Sequence, residues 1–130
     1  MRDHLRDDGV LAINVGRTDT NFALVDALTA TLEQVFPTVY AIDEPGPPAT
    51  LANTLVIATM QPVALDEVRA AVAALPSTLP VEVRDFGAEA AEQMRAVAIP
   101  PDAPIFTDDK APVERVVHQI ILDYLVGSME

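Results

Sequence analysis

The sequence predicts one α/β domain over residues 1–130, with a mixed sheet of two parallel strands and one antiparallel strand flanked by helices. A chain of 130 residues has the ordinary size of one domain. Its apolar residues alternate between short continuous runs, typical of buried strands, and runs at three- and four-residue spacing, typical of helices. The first two predicted strands are separated by a helix, whereas only a short proline-rich loop separates the second from the third.

The first half of the chain predicts a strand, a helix and a second strand. Residues 10–15 form a nearly continuous apolar run between Gly9 and Gly16, as in a strand that is buried on both faces. The segment that follows has one apolar stripe at helical spacing, and Pro37 ends it. That stripe consists of Phe22, Val25, Leu28, Leu32 and Val35. Residues 38–42 predict the second strand.

The second half predicts one further strand and three helices. Residues 55–60 form the third strand, and residues 65–75 and 87–98 form helices. The segment 81–86 is predicted as a short strand or an extended segment. A proline-rich linker then leads to a final helix over residues 112–125. Its apolar stripe consists of Val113, Val116, Val117, Ile120, Ile121 and Tyr124.

The lengths of the connections predict the strand directions. Strand, helix and strand within about 30 residues form a βαβ unit, whose two strands run parallel with a right-handed crossover. The proline-rich segment 43–48 is too short to hold the crossover that a parallel third strand requires. We therefore expect the third strand to run antiparallel.

Composition excludes several classes of function. Twenty acidic residues against eight basic ones give a net charge of −12, which argues against a nucleic-acid partner. The chain has no cysteine and two histidines, so we expect no disulfide and no metal site. No apolar run approaches the roughly 20 residues of a membrane-spanning helix, and the charged start has no apolar signal region. We expect a cytoplasmic protein without a membrane partner.

Four segments resemble a known family. Residues 5–15 are similar to the entry into the fifth strand of spermidine synthase-like proteins, which belong to the class I S-adenosylmethionine-dependent methyltransferase fold. Residues 36–40 and 53–58 are similar to the sixth and seventh strands of that family. The sequence TDDKAPVE over residues 107–114 resembles a tail of aminopropyltransferase-like members. This resemblance implies a partial Rossmann-like sheet, with the third strand inserted antiparallel between the first two.

The resemblance also implies what the chain lacks. Family members bind S-adenosylmethionine or its decarboxylated form at a glycine-rich turn, and the five glycines here stand alone. The family's catalytic aspartate lies before the region that matches. We therefore expect a carboxy-terminal half with no catalytic or cofactor-binding residue, without cofactor binding or turnover as an isolated chain.

Two groups of residues are candidates for substrate binding. Asn14 and Arg17 flank the carboxyl end of the first strand, where open α/β sheets bind ligands. Alternatively, Asn14 satisfies backbone groups and Arg17 is solvated. Asp108, Asp109 and Glu114 surround the start of the last helix, where the helix dipole stabilises negative charge without any ligand. The family tail favours the alternative that they dock this helix or border the cleft.

Two further features concern partners. Asp43 and Glu44 follow the second strand and could hold a cationic amine. Side chains of adjacent residues on an extended segment point apart, however, which favours two carboxylates solvated in a loop. The strand 10–15 would have a bare edge, and an apolar edge strand tends to recruit another chain. We therefore expect a homo-oligomer that contacts its copy through this edge or through the last helix. A non-catalytic interaction module is the alternative function.

Overall fold

The computed structural model describes residues 2–45, 51–110 and 112–127, and its helices and strands follow the predicted order closely. A short 3-10 turn over Arg2–His4 precedes them. The strands are β1 (Val10–Arg17), β2 (Thr38–Asp43), β3 (Ala52–Thr59) and β4 (Arg95–Ala96). The helices are α1 (Ala23–Glu33), α2 (Leu65–Ala73), α3 (Val81–Gln93) and α4 (Val113–Gly127). None of these helices combines the length and apolar character that a membrane crossing requires.

The fold is α/β, as predicted, but the prediction that the sheet contains a pair of parallel neighbouring strands is wrong. The four strands lie in the order β1-β3-β2-β4, and each neighbouring pair in the described sheet is antiparallel. The physical reason is the hairpin between β2 and β3, because β3 takes the position beside β1 that a parallel β2 would occupy. Since β1 and β2 both run antiparallel to β3, they point the same way without being hydrogen-bonded to each other.

Two predicted elements in the second half differ from the structure. The segment 81–86, predicted as a strand or extended, forms the start of α3. Its alternating pattern of Val81, Glu82 and Val83 favoured a strand, but Pro80 suits the start of a helix and the alanine- and glutamate-rich residues after it continue one. The predicted helix over 87–98 ends instead at Gln93, and β4 pairs with β2.

The main core lies between the sheet and α1. Side chains of a strand alternate between its two faces. One face of β1, β2 and β3 is covered by α1, and α4 packs against α1. The buried residues of this core are Val15, Leu24, Val25, Leu32, Phe36, Val39, Val56, Ala58 and Ile120. We call this side of the sheet the α1 face.

The opposite side, which we call the α3 face, is covered less completely. The α2–α3 hairpin packs there, and the Tyr40 hydroxyl donates a hydrogen bond of 2.7 Å to the Val63 carbonyl before α2. No residue of α2 is fully buried, whereas Ala91 and Met94 at the end of α3 are. The α3 face therefore retains exposed apolar groups beside β1, including Val10 and Leu55.

One core position carries a polar group without a partner, and we expect its removal to stabilise the fold. Thr29 of α1 is fully buried, and its hydroxyl makes no hydrogen bond within the described part of the chain. Because a buried unsatisfied hydroxyl is unfavourable, Thr29→Val should raise the free energy of unfolding by about 1 kcal/mol. Urea denaturation measures this change.

Thr31 supplies a matched control in the same helix. Its hydroxyl donates to the Ala27 carbonyl at 2.7 Å and accepts from the Phe106 amide at 2.8 Å. Thr31→Val leaves that amide without its acceptor and should lower stability by about 1 kcal/mol. Equal effects of the two substitutions would contradict the assignment of Thr29 as unsatisfied.

Candidate functional site

The carboxyl ends of β1 and β2 bring polar residues from distant parts of the chain together. β1 ends at Arg17 and β2 ends at Asp43, and the two strands point to the same edge of the sheet. β4 lies next to β2 and contributes Arg95. The start of α1 contributes Phe22 on the α1 face. This edge is the one at which open α/β sheets bind ligands.

Asp43 is the centre of an ion-pair cluster. Its two carboxylate oxygens accept hydrogen bonds from Arg95, from Nε at 2.7 Å and from Nη2 at 3.2 Å. The Thr54 hydroxyl donates to the same carboxylate at 2.6 Å, and in turn accepts from Arg17 Nε at 2.9 Å. Arg17 Nε lies 3.7 Å from the Asp43 carboxylate. One carboxylate therefore balances two guanidinium groups.

Arg17 is buried, so the alternative that it is solvated is wrong. Only 7% of the residue is exposed. Its guanidinium donates to the Thr18 carbonyl at 3.2 Å and to the Glu44 carbonyl at 3.0 Å, and it lies 4.8 Å from the centre of the Phe22 ring. These contacts occupy its donors with groups of the chain itself. Arg17 therefore holds the ends of β1 and β2 together.

The charges of the cluster set the proton affinity of its carboxyl groups. Burial alone would raise the pKa of Asp43, but hydrogen bonds from Arg95 and Thr54, with the charges of Arg95 and Arg17, outweigh burial and lower this pKa below its ordinary value. Burial raises the pKa of Asp26, and the nearby charge of Arg95 offsets this only in part. A carboxylate held ionised by two arginines is a weak proton acceptor, so Asp43 suits charge balance better than general-base catalysis.

A groove of about 580 Å³ opens beside the cluster on the α3 face. Asn14 is exposed on β1 and lines this groove. The floor is apolar, from Ile42 and Leu55, and α3 supplies one wall. The other residues of the groove are Asp43, Glu44, Pro45, Asn53, Phe86, Glu89, Ala90 and Gln93. An apolar floor with carboxylates and amides at its rim suits an elongated ligand with a cationic end.

The carboxylates of the groove differ in how fully they are engaged. Asp43 is bound by the two arginines, so it offers little to a ligand. Glu44 accepts hydrogen bonds through Oε2 from the backbone amide of Asn53 at 3.1 Å and from its side chain at 3.0 Å. Glu89 accepts one from Gln93 at 3.2 Å. Glu44 and Glu89 are both exposed, so each retains acceptor capacity for a cation.

The second group of predicted residues lies elsewhere. Asp108 and Asp109 are exposed at the tip of a turn that Thr107 and Lys110 close with two backbone hydrogen bonds. Glu114 is exposed in the first turn of α4. None of the three lines a cavity described here.

The contacts of α1 show how far apart the two groups are. The Phe106 amide beside the turn bonds to Thr31 near the end of α1, whereas Asn21, just before α1, bonds to Asp123 near the end of α4. Ten residues of helix span about 15 Å. The acidic turn and Glu114 therefore lie at the opposite end of the sheet from Asn14 and Arg17, and the structure does not bring the two groups together.

Sequence reasoning missed the contributions of Arg95, Phe86 and Glu89. Residues 87–98 were predicted as one helix, which hid the strand that carries Arg95 to Asp43, 52 residues away in sequence. Phe86 and Glu89 belong to α3, whose place against the sheet no local pattern reveals. Among the described residues, no cluster of histidine, aspartate and glutamate has the arrangement of a metal site.

Comparison of the chain with models of protein families, with characterised proteins and with solved structures finds no match.

Proposed function

We propose that this chain is the carboxy-terminal part of a spermidine synthase-like, S-adenosylmethionine-dependent transferase, in which it supplies one wall of the substrate cleft. The single observation that carries the proposal is the strand order. β3 lies antiparallel between β1 and β2, which point the same way, and this is the order that the sequence resemblance implies for the last three strands of the family. Many α/β proteins share isolated strand patterns, but fewer share this insertion.

The position of the groove supports the same proposal. It opens at the carboxyl ends of β1 and β2, and its rim carries Glu44 and Glu89 above an apolar floor. An alkyl amine would place its methylene groups on Leu55 and Ile42 and its ammonium group near the two carboxylates. Under this proposal Asn14 lines the amine side of the cleft, and Arg17 fixes the cleft edge without touching the ligand.

The cofactor would bind elsewhere than on this chain. S-adenosylmethionine or its decarboxylated form supplies an electrophilic carbon next to a sulfonium in proteins of this family. The described residues include no glycine-rich strand–turn–helix that would hold it. A strand of a cofactor-binding unit would pair with the outer edge of β1, where it would exclude any other strand. We also propose a cytoplasmic location, which rests on the composition alone.

Calorimetric titration of the chain tests the proposal. We expect putrescine to bind, and neither S-adenosylmethionine nor its decarboxylated form to do so. Glu44→Gln and Glu89→Gln should each weaken putrescine binding by about two- to fivefold, as expected for one exposed charge pair. Glu82→Gln is the matched control, because Glu82 is an exposed acid of α3 outside the groove.

Two results would contradict the proposal. Tight binding of S-adenosylmethionine would show that the chain holds the cofactor itself. Putrescine binding that all three variants weaken equally would indicate attraction to the net charge of −12 and no defined site.

A second candidate function is association without catalysis. β1 is at the end of the sheet and pairs with β3 alone among the described strands. Its residues 10–16 carry no charge and no proline, which are the usual protections of an edge strand. This observation favours a partner at the β1 edge.

A further inference from the structure

Two apolar features that no other described segment covers lie on the same side of the molecule. The first is the outer edge of β1, over residues 10–16. The second is an exposed stripe of α4 that includes Ile121 and Leu122, of which 42% and 54% are exposed. Ile121 joins Gly16 in lining a cavity of about 340 Å³ between α4 and the end of β1. The edge and the stripe therefore form one surface.

The orientation of α4 supports this assignment. Asp123 reaches Asn21 at the start of α1, so the Asp123 side of the helix faces α1. At about 100° per residue, Ile121 lies roughly 160° around the helix from Asp123. The Ile121 side therefore faces away from α1, and the cavity that Ile121 shares with Gly16 places it beside the end of β1.

We propose that this surface binds a second copy of the chain, with the two β1 edges antiparallel and the two α4 helices side by side about a two-fold axis. This inference deepens the association function and does not depend on the amine groove. Antiparallel pairing of identical strands is an isologous contact, so the same groups satisfy each other on both copies. The result would be one eight-stranded sheet across the dimer.

The charge distribution favours a second copy as the occupant. The chain carries 20 acidic residues, yet residues 10–16 of the edge have none. Asp123 follows the α4 stripe directly in sequence, and its carboxylate is already bound by Asn21 and Gln119. Depletion of charge is typical of the centre of an interface. Two copies of an acidic chain can meet at such an uncharged edge.

The size of the surface is sufficient for a modest dimer. β1 is about 26 Å long and a strand-plus-helix layer is about 20 Å deep, so each copy would bury about 500 Å². The total of about 1,000 Å² is near the lower limit for a specific interface. Backbone hydrogen bonds between the two β1 strands would add to this contact.

Sedimentation equilibrium from low to high micromolar concentration tests the proposal. We expect twice the chain mass of 13.9 kDa. Because both copies carry −12 while the contact itself is uncharged, the dimer should tighten as salt screens the repulsion. Ala12→Glu on β1 and Ile121→Glu on α4 should each weaken it at least about tenfold, since each buries two like charges at the axis.

Val83→Glu is the matched control, because Val83 is 50% exposed on α3 and lies outside this surface. Circular dichroism of each variant establishes that it is folded. The chain has no cysteine, so a single introduced one reports contacts unambiguously. Ala12→Cys should form an intermolecular disulfide on oxidation, and Ser77→Cys in the α2–α3 loop should not.

Several outcomes would overturn the proposal. A monomer at high micromolar concentration would leave the edge to a strand of a cofactor-binding unit. A dimer that Val83→Glu disrupts while Ile121→Glu does not would move the interface to α3. Neither outcome bears on putrescine binding. The dimer and the amine site can therefore be contradicted independently, the first by the mass measurement and the second by the titration.

Discussion

Asp43→Asn is expected to lower the free energy of unfolding by about 2–4 kcal/mol, because it removes the negative charge that compensates the buried guanidinium of Arg17. Water can compensate little of the Arg17 charge, since only 9% of its side chain is exposed. The amide of asparagine could accept from Arg17 or Arg95 but would bring no negative charge. Urea denaturation at neutral pH and low salt measures the effect.

The surface pair of Asp66 with Arg69 provides the control for this substitution. The two groups lie 3.3 Å apart, but the Asp66 side chain is 95% exposed. Asp66→Asn should therefore change stability by less than about 0.5 kcal/mol. Arg17→Met combined with Asp43→Asn should recover part of the loss, because the double variant no longer buries an unpaired charge. Equal effects of Asp43→Asn and Asp66→Asn would contradict the role of the cluster.

Acid titration tests the same cluster through its proton affinity. The pKa of Asp43 is lowered in the folded state, so its contribution is complete above the ordinary value of 3.8 and is lost as the pH falls through the lowered value. Stability should therefore fall more steeply with acid in the parent chain than in Asp43→Asn. Asp26, whose pKa is raised by burial, acts with the opposite sign but is present in both proteins and cancels in the comparison.

The elements of the first half were predictable because their signals are local. The apolar run of β1, the stripe of α1 and the break at Pro37 each depend on residues within one segment. The α/β class follows from their order. Strand pairing does not follow from the order of the elements, because it depends on which segment occupies the space beside β1. β2 and β3 compete for that space. The structure pairs β1 with β3, and the hydrogen bond between Arg17 of β1 and Thr54 of β3 joins residues that are 37 apart in sequence.

The candidate site was predictable in part for the same reason. Asn14 and Arg17 could be assigned to the carboxyl end of a strand from the sequence, and Asn14 does line the groove. The burial of Arg17 could not be predicted from the sequence, because Asp43, Thr54 and Phe22 surround this side chain only after the sheet has formed. The acidic residues Asp108, Asp109 and Glu114 carry a local motif, but the direction of α4 decides which end of the sheet they reach.

Ile120→Ala is expected to lower the free energy of unfolding by about 2–4 kcal/mol, since it removes a buried side chain and leaves a cavity. Ile120 is 4% exposed and is the one residue of α4 that is fully buried among those described. Its side chain belongs to the same core as Val15, Leu24 and Val56. The helix would keep its backbone hydrogen bonds but lose its main contact with α1 and the sheet. Thermal denaturation measures the loss.

The same substitution separates docking of α4 from the stability of the sheet. If Ile120 fixes α4 on the α1 face, trypsin should cleave at Arg115 faster in Ile120→Ala, while cleavage at Arg17 inside the ion-pair cluster should require global unfolding. Val83→Ala on α3 is the control, because that residue is 50% exposed and lies outside the proposed dimer surface, so its truncation should cost less than about 0.5 kcal/mol. A loss below about 1 kcal/mol in Ile120→Ala would mean that the tail turn, through the Phe106–Thr31 bond, holds α4 without it.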